Sequence, residues 1–523
     1  MPTLDWIGKD KVVNHHLDVP YHVLDKQYTF GADESENMII HGDNLIALKS
    51  LLPRYEGKID CIYIDPPYNT GNEGWVYNDK VNDPVIKKWL GQVVGTESED
   101  LSRHDKWLCM MYPRLKLLHK LLSENGAIFI SIDDNEMPTL KIICDEIFGS
   151  NNYVGNVVRA TGTTTGQDSS GLGKSFDYIL CYSKTNVFEV GGIPLSEEDD
   201  KRYNLEDERG RFSILQLRRT GNEDRREDRP TMYFPITAPD GTEVYPIGPT
   251  GYESRWRVGP ETVAERLKNN ELYFKKDSSG QWKVYYKYYL ENRTKRPSNL
   301  WNDLDGNKKA QIELKDIFGK GVFDTPKPTQ VIERVLEIAS QKDSIVLDSF
   351  AGSGTTAHAV LNQNKKDGGS RKFILVELGD YAEEITATRI KKVIDGYGYG
   401  KNAVEGTGGS FSFFELGEPI IQDDKINELV SLETVKEFVY YLETKNVYKK
   451  DSVEESLLGV NSGCAYYFFY EHGKTTALNR RKLSCIKTKA ESYVIYADQC
   501  TLSDEELREY NITFKKTSDI GKI

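Results

Sequence analysis

Ile59-Asp60-Cys61-Ile62-Tyr63-Ile64-Asp65-Pro66-Pro67-Tyr68 is the stretch that decides the fold. Ile59 to Ile64 is short, apolar and β-branched, which predicts a buried strand. It ends sharply, because two consecutive prolines fix φ and offer no backbone donor to a sheet. Working outward, Asn37–His41 (NMIIH) reads as another buried strand, ending at Gly42-Asp43-Asn44, and Leu45–Leu52 has helical spacing. Asp105–Leu122 predicts an amphipathic helix, with Leu108, Met111, Leu115, Leu118 and Leu122 at three- and four-residue steps and Asn125-Gly126 as its C-cap. Ala127–Ile132 (AIFISI) predicts a third strand, followed by a helix after Asn135. Strands alternating with helices imply an α/β fold built on a parallel sheet.

The alternation is lost from about Tyr153 to Thr325, where Gly, Pro and aromatic–charge mixtures dominate. It resumes with a helix from Gln330 to about Ser340, a strand Ser344–Leu347, a Gly-rich turn Asp348–Thr356 and a helix to about Asn364. A strand Lys372–Val376 then ends at Glu377, and a helix runs from Tyr381 to about Asp395. The organisation expected is a sheet domain in two parts, 1–152 and 323–399, interrupted by an insertion at 153–322. A glycine-rich linker and a small C-terminal α/β module at 411–523 follow.

Two loops carry chemistry. Asp65-Pro66-Pro67-Tyr68 sits at the C-terminal end of a strand, where open α/β sheets bind ligands. The Asp65 carboxylate and the Pro66 carbonyl, held by the stiff Pro66-Pro67 pair, are two acceptors for the hydrogens of an exocyclic amine. Accepting both localises the amine's lone pair and stabilises positive charge developing on it. Tyr68 offers a face on which an extruded base can stack. The second loop, Asp348-Ser349-Phe350-Ala351-Gly352-Ser353-Gly354-Thr355-Thr356, lies between a strand and a helix. Its glycines permit close approach of a ligand to backbone, but no Lys follows them, so it is not a phosphate-cradling P-loop. Glu377 ends the next strand, about 20 residues on, the place of a ribose-binding carboxylate. Together the loops describe an adenosine-bearing cofactor beside a gripped amine, which is the chemistry of an amino-methyltransferase.

Charge and composition narrow the rest. The net charge is −13, but the stretch 151–330 is nearly balanced, with 28 Lys and Arg against 27 Asp and Glu. It is therefore the better face for a polyanion. Seven scattered cysteines form no CxxC pair and eight histidines no ligand cluster, so neither structural zinc nor a catalytic metal is expected. No apolar run reaches membrane-span length and no signal-peptide core opens the chain, which predicts a cytoplasmic protein. Arg218-Arg219 and Arg225-Arg226 are interleaved with Glu223, Asp224, Glu227 and Asp228, predicting a self-paired charged face. Arg255-Trp256-Arg257 is the better base-contact candidate. Tyr285–Tyr289 is expected to be packing rather than a simple strand, and His358 a helix-surface residue.

These residues resemble a known family, the β-class amino-methyltransferases, in which the DPPY loop precedes the FxGxG loop. More closely, the chain resembles the modification subunits of type III restriction–modification systems. The stretches that carry the resemblance are DWIGKD near the N-terminus, HGDNLIAL at His41–Leu48, YIDPPYNTG at Tyr63–Gly71, FDTPKP at Phe323–Pro328 and LDSFAGSGTTAHAVL at Leu347–Leu361. The resemblance implies a Rossmann-like S-adenosylmethionine-dependent sheet in circularly permuted order, with a target-recognition domain inserted. It implies Asp65, Pro66, Pro67 and Tyr68 as catalytic, with Asn69 beside them at the substrate. Asp348, Phe350, Ala351, Gly352, Gly354, Thr355 and Glu377 would bind S-adenosylmethionine. Asp324, Lys327 and Pro328 would close over it, with Asp43 and Asn44 nearby. An Asp opening the catalytic loop favours adenine N6 over cytosine N4. The expected partners are double-stranded DNA, a second copy of the chain and a separate restriction subunit with translocase and endonuclease activity. The alternatives are a stand-alone DNA methyltransferase and a methyltransferase for RNA or protein amines.

Overall fold

The computed structural model describes residues 3–70, 84–96, 101–162, 173–291, 293–398, 400, 403–450 and 454–520. Its centre is a ten-stranded sheet. In chain order the strands are β1 (His22–Phe30), β2 (Met38–His41), β3 (Ile59–Ile64), β4 (Leu122–Ile132), β5 (Tyr153–Ala160), β6 (Phe176–Ser183), β7 (Leu300–Trp301), β8 (Ile345–Asp348), β9 (Lys372–Glu377) and β10 (Phe411–Pro419). Across the sheet they run β1-β10-β2-β9-β8-β3-β4-β6-β5-β7. The six strands from β10 to β4 are mutually parallel, and β6 pairs antiparallel with β4.

The strands predicted from apolar runs all form. Ile62, Ile64, Ile128, Ile130 and Leu347 share one core with the helices α1 (Asn44–Tyr55), α2 (Arg103–Leu121) and α3 (Met137–Phe148). Alternation along a strand turns Cys61, Tyr63, Val346 and Phe373 to the other face, and these are buried too. A parallel sheet covered on both faces is what such unbroken apolar runs require. Further on, α4 (Asn307–Phe318), α5 (Thr329–Ala339), α6 (Thr355–Asp367) and α7 (Thr388–Asp395) complete this part of the chain.

Three expectations change. Asn125-Gly126 is not a helix cap: α2 ends at Leu121, and the pair lies inside β4 at a register irregularity opposite Ile59 and Cys61. Glycine is needed there because a Cβ would come within 2.7 Å of the Ile59 carbonyl oxygen. The insertion is shorter than 153–322, since β5, β6 and β7 belong to the large sheet and the separate compact unit is Gly192–Pro297. The C-terminal module is also shorter than 411–523, because β10 inserts between β1 and β2. What remains is a four-stranded sheet (Leu457–Asn461, Cys464–Phe468, Ser492–Ala497, Ile512–Lys516) with the helix α8 (Leu432–Thr444).

Within the Gly192–Pro297 unit, Tyr285–Tyr289 is strand after all, part of Trp282–Tyr289 between Leu272–Lys276 and Gly210–Gln216. Its run of tyrosines places an aromatic ring on each face, which hid the period of two. Among the described residues no helix is long and apolar enough to cross a membrane.

Candidate active site

β3 and β8 are neighbouring parallel strands, with Leu347 opposite Ile62. The Asp65 turn and the Asp348–Thr356 loop therefore leave the sheet side by side at its carboxyl edge. The Asp65 turn is held from below. Trp107 on α2, fully buried, donates its indole N–H to the Pro67 carbonyl at 2.6 Å. Asn69, in a left-handed conformation at φ 58, is buried, and its amide donates to Glu136 and to the Arg103 carbonyl. Glu136 is inaccessible to solvent and also bonds His104 Nδ1 at 2.6 Å and the Thr139 hydroxyl at 2.5 Å. Asn69 thus ties the turn to Glu136 and to the start of α2. Trp107 and Glu136 were invisible as site residues in the sequence, where each reads as part of an ordinary helical pattern.

At the mouth of the turn the Asp65 carboxylate carries a partner. Lys327 Nζ stands 2.7 and 2.6 Å from its two oxygens and 4.8 Å from the centre of the Tyr68 ring. Lys327 comes from the segment just before α5. Its carbonyl accepts from the Thr355 hydroxyl at 3.4 Å, so the segment touches both loops.

The glycine-rich loop rests on two buried carboxylates. Asp348 accepts from Phe350 N–H and from the Thr356 hydroxyl. Glu377, at the end of β9, accepts from Gly352 N–H at 2.6 Å, Gly379 N–H at 2.8 Å and the Tyr381 hydroxyl at 2.9 Å. Burial pushes both carboxyls up to about 7. The Leu378 backbone N–H is a further donor to the Glu377 carboxyl, which is thus held on every side by the turn that follows β9. Gly352 and Gly354 take φ values of 53 and 82, and a Cβ at Gly354 would press on Thr386 at 3.3 Å. Phe350 and Ala351 are buried, and Ala351 N–H reaches the Val376 carbonyl.

From α1, Asn44 donates to the Ser349 carbonyl at 2.8 Å, and Arg114 on α2 joins Asn44 to Asp43. Asp43 and Asn44 therefore lie beside the glycine-rich loop. On the far side Phe323 meets the Tyr381 ring edge-on at 5.7 Å, while Pro328 caps α5 and Asp324 is exposed.

Beneath the loop lies a residue the sequence did not single out. Arg389, buried on α7, donates to the Ser353 hydroxyl and the Thr355 hydroxyl through one nitrogen. The other reaches Glu313, Thr329 and His358. His358 is therefore buried, not on a helix surface, and it accepts from Arg389 through Nδ1 as a neutral ring. Burial holds its pKa well below the ordinary histidine value.

The predicted base-reading trio is also corrected. Trp256 is a core residue of the inserted unit, 2% exposed, its indole N–H spent on the Phe234 carbonyl at 2.8 Å. Arg255 donates to the Glu223 carbonyl, and Arg257 to Gln216 and Thr220. Packing claimed the tryptophan, as it does for most indoles in a small domain. Arg218 pairs with Asp224 as the interleaved charges predict, whereas Arg226 pairs with Glu253, outside that run.

The two raised carboxyls carry a pH signature. A carboxyl whose folded pKa lies above its unfolded value stabilises the fold below the unfolded value. That contribution is lost as pH rises toward about 7. The melting temperature should fall from about pH 4 to about pH 7, level off above that, and fall less in Glu377→Gln. Equal falls in the two proteins, followed by calorimetry, would exclude this carboxyl as a cause.

Comparison with known proteins agrees with the geometry. A family model described as DNA methylase, for N6 and N4 amines, matches residues 59–388. The EcoPI Mod subunit of Escherichia phage P1 is 34% identical over 409 residues, covering 72% of this chain and 63% of its own length. The StyLTI Mod subunit of Salmonella typhimurium strain LT2 is 38% identical over 389 residues, 71% of this chain and 57% of its own. The type II methyltransferase M.KpnI of Klebsiella pneumoniae is 36% identical over 374 residues, 67% of this chain and 84% of its own. The chain thus spans less than two thirds of the two Mod subunits. With the family model spanning both loops and the strands between them, the chain belongs to the N6/N4 family of DNA methylases.

Proposed function

We propose that the chain transfers a methyl group from S-adenosylmethionine to adenine N6 in duplex DNA, as the modification subunit of a type III restriction–modification system. The observation that carries this reading is the adjacency of the Asp65 turn and the Gly352 loop on parallel neighbouring strands. The loop suits an adenosyl cofactor: its glycines put no side chain between backbone and ligand, and the Glu377 carboxyl ends the neighbouring strand β9, the place of a ribose-binding acid. Ser349 Oγ is buried with no partner among the described residues. Bound there, S-adenosylmethionine would supply an electrophilic methyl on a sulfonium.

The chain's own residues do the rest. Asp65 Oδ and the Pro66 carbonyl accept the two N6 hydrogens, and the lone pair so localised attacks the methyl carbon. A methyl passed to that nitrogen would leave the C–S electron pair on the sulfur of the cofactor that Gly352, Gly354 and Glu377 would hold. The surplus proton of the methylated amine then passes through the Asp65 carboxylate to water. Tyr68 stacks on the base, which must leave the duplex to arrive. Trp107 and Glu136 keep the turn from yielding as charge develops, the preorganisation on which such stabilisation depends.

The names of the first two relatives support a Mod subunit of a type III restriction–modification enzyme; DNA, a second copy of the chain and a restriction subunit are the partners this reading proposes. The likeness to a type II methyltransferase favours a second reading, a stand-alone DNA methyltransferase. Tritiated cofactor incubated with unmethylated DNA, RNA and protein pools should label the DNA alone. Digestion to nucleosides should return the label as N6-methyladenine. Label in N4-methylcytosine, or in RNA or protein only, would replace this reading.

A further inference from the structure

We propose that Lys327 occupies the amine position of the site while no base is present, so that a target base enters only by displacing it. This rests on the methyl-transfer reading above. The reading gives the target amine two neighbours, the Asp65 carboxylate as acceptor and the Tyr68 ring as stacking face. Lys327 already has both, at 2.6–2.7 Å and 4.8 Å. An ammonium equidistant from two carboxylate oxygens fills the inner face of that group. One standing over the ring fills the layer a stacked base needs, about 3.5 Å thick. The pair is also enclosed, with side-chain exposures of 11% for Lys327 and 18% for Asp65.

The displacement is mechanically simple. The Lys327 main chain is tied to the cofactor loop through Thr355, so only its flexible four-carbon stem has to swing. The consequence is self-competition. The apparent affinity for a flipped base is lowered by the fraction of sites the ammonium fills. When the methylated base leaves, the ammonium returns to the carboxylate and resists its re-entry. Lys327 is in this sense a positioning residue that also guards the vacant site.

Two readouts test this. In the first, the full chain without cofactor is treated with an acetylating N-hydroxysuccinimide ester, and modification of Lys327 is followed by mass spectrometry. Reactivity should be low at rest, rise several-fold on adding unmethylated plasmid DNA, and be high without DNA in Asp65→Asn. In the second, initial rates against DNA concentration are compared for Lys327→Met and Lys327→Arg. In Lys327→Met the KM for DNA should fall about ten-fold, with a smaller fall in kcat because Asp65 loses its orienting partner. In Lys327→Arg, whose guanidinium keeps both bonds to the carboxylate, the KM should stay at or above that of the parent. A KM that is unchanged or raised in Lys327→Met overturns the proposal, as does Lys327 reactivity indifferent to DNA. If no pool is methylated yet DNA still exposes Lys327, the methyl-transfer reading fails and the displacement stands.

Discussion

Asp65→Ala should lower methyl transfer by about 10²–10³-fold, the loss seen when one preorganised group facing developing charge is removed. The side chain sits at the carboxyl edge of the sheet, where it pairs with Lys327. Stability should therefore change little, and gel-shift affinity for DNA should persist. Asp65→Asn is the sharper variant. It keeps the shape of the side chain but presents an NH₂ group where one acceptor stood, and that group repels the amine hydrogens. Its rate should fall nearly as far as that of the alanine variant. Single-turnover transfer with saturating tritiated cofactor reads the chemical step directly. A variant that retains a tenth of the parent's rate or more would remove Asp65 from the reacting centre, and the amine-gripping reading with it.

The second large effect is expected at Arg389. Arg389→Met removes a buried guanidinium that joins the cofactor loop, through Ser353 and Thr355, to Glu313, Thr329 and His358. Glu313 loses its buried partner, and two hydroxyls and an imidazole nitrogen lose a donor. Breaking a buried pair in this way costs about 3–5 kcal/mol. The loss should appear as a lower denaturation midpoint, together with weaker cofactor binding by calorimetry, because the loop that would hold the cofactor loses its floor. Arg389→Lys keeps the charge but as a point donor, which cannot span both sides of the network. It should fall between the parent and the methionine variant. An unaltered midpoint in Arg389→Met would show that the network adds no net stability to the fold.

Both predictions bear on what was legible beforehand. Ile59–Ile64, Lys372–Glu377 and the helices at 103–121, 137–148, 329–339 and 355–367 were readable because burial imposes a period on each element, and a period is local. The two functional loops were readable for a related reason. Pro66-Pro67 and Gly352-Gly354 announce special backbone where they stand, and the residues beside them announce chemistry. Less legible was the extent of the insertion, since β5 and β6 mix exposed and buried positions and pair only across the far side of β4. The role of Trp256 was misread because an indole flanked by two arginines looks the same in a sequence whether it faces a ligand or a core.

The sequence by itself determined that this is a parallel α/β protein with a rigid Asp-Pro-Pro-Tyr turn and a glycine-rich loop at two strand ends. The tertiary structure alone decided that those turns share one edge, and that Lys327 reaches Asp65 across 262 positions of chain. It alone put a guanidinium, a carboxylate and a neutral imidazole together beneath the glycines. The division follows from the physics. Backbone conformation and burial period are set by neighbours in the chain, whereas a buried polar group takes whichever partner the strand order brings within about 3 Å.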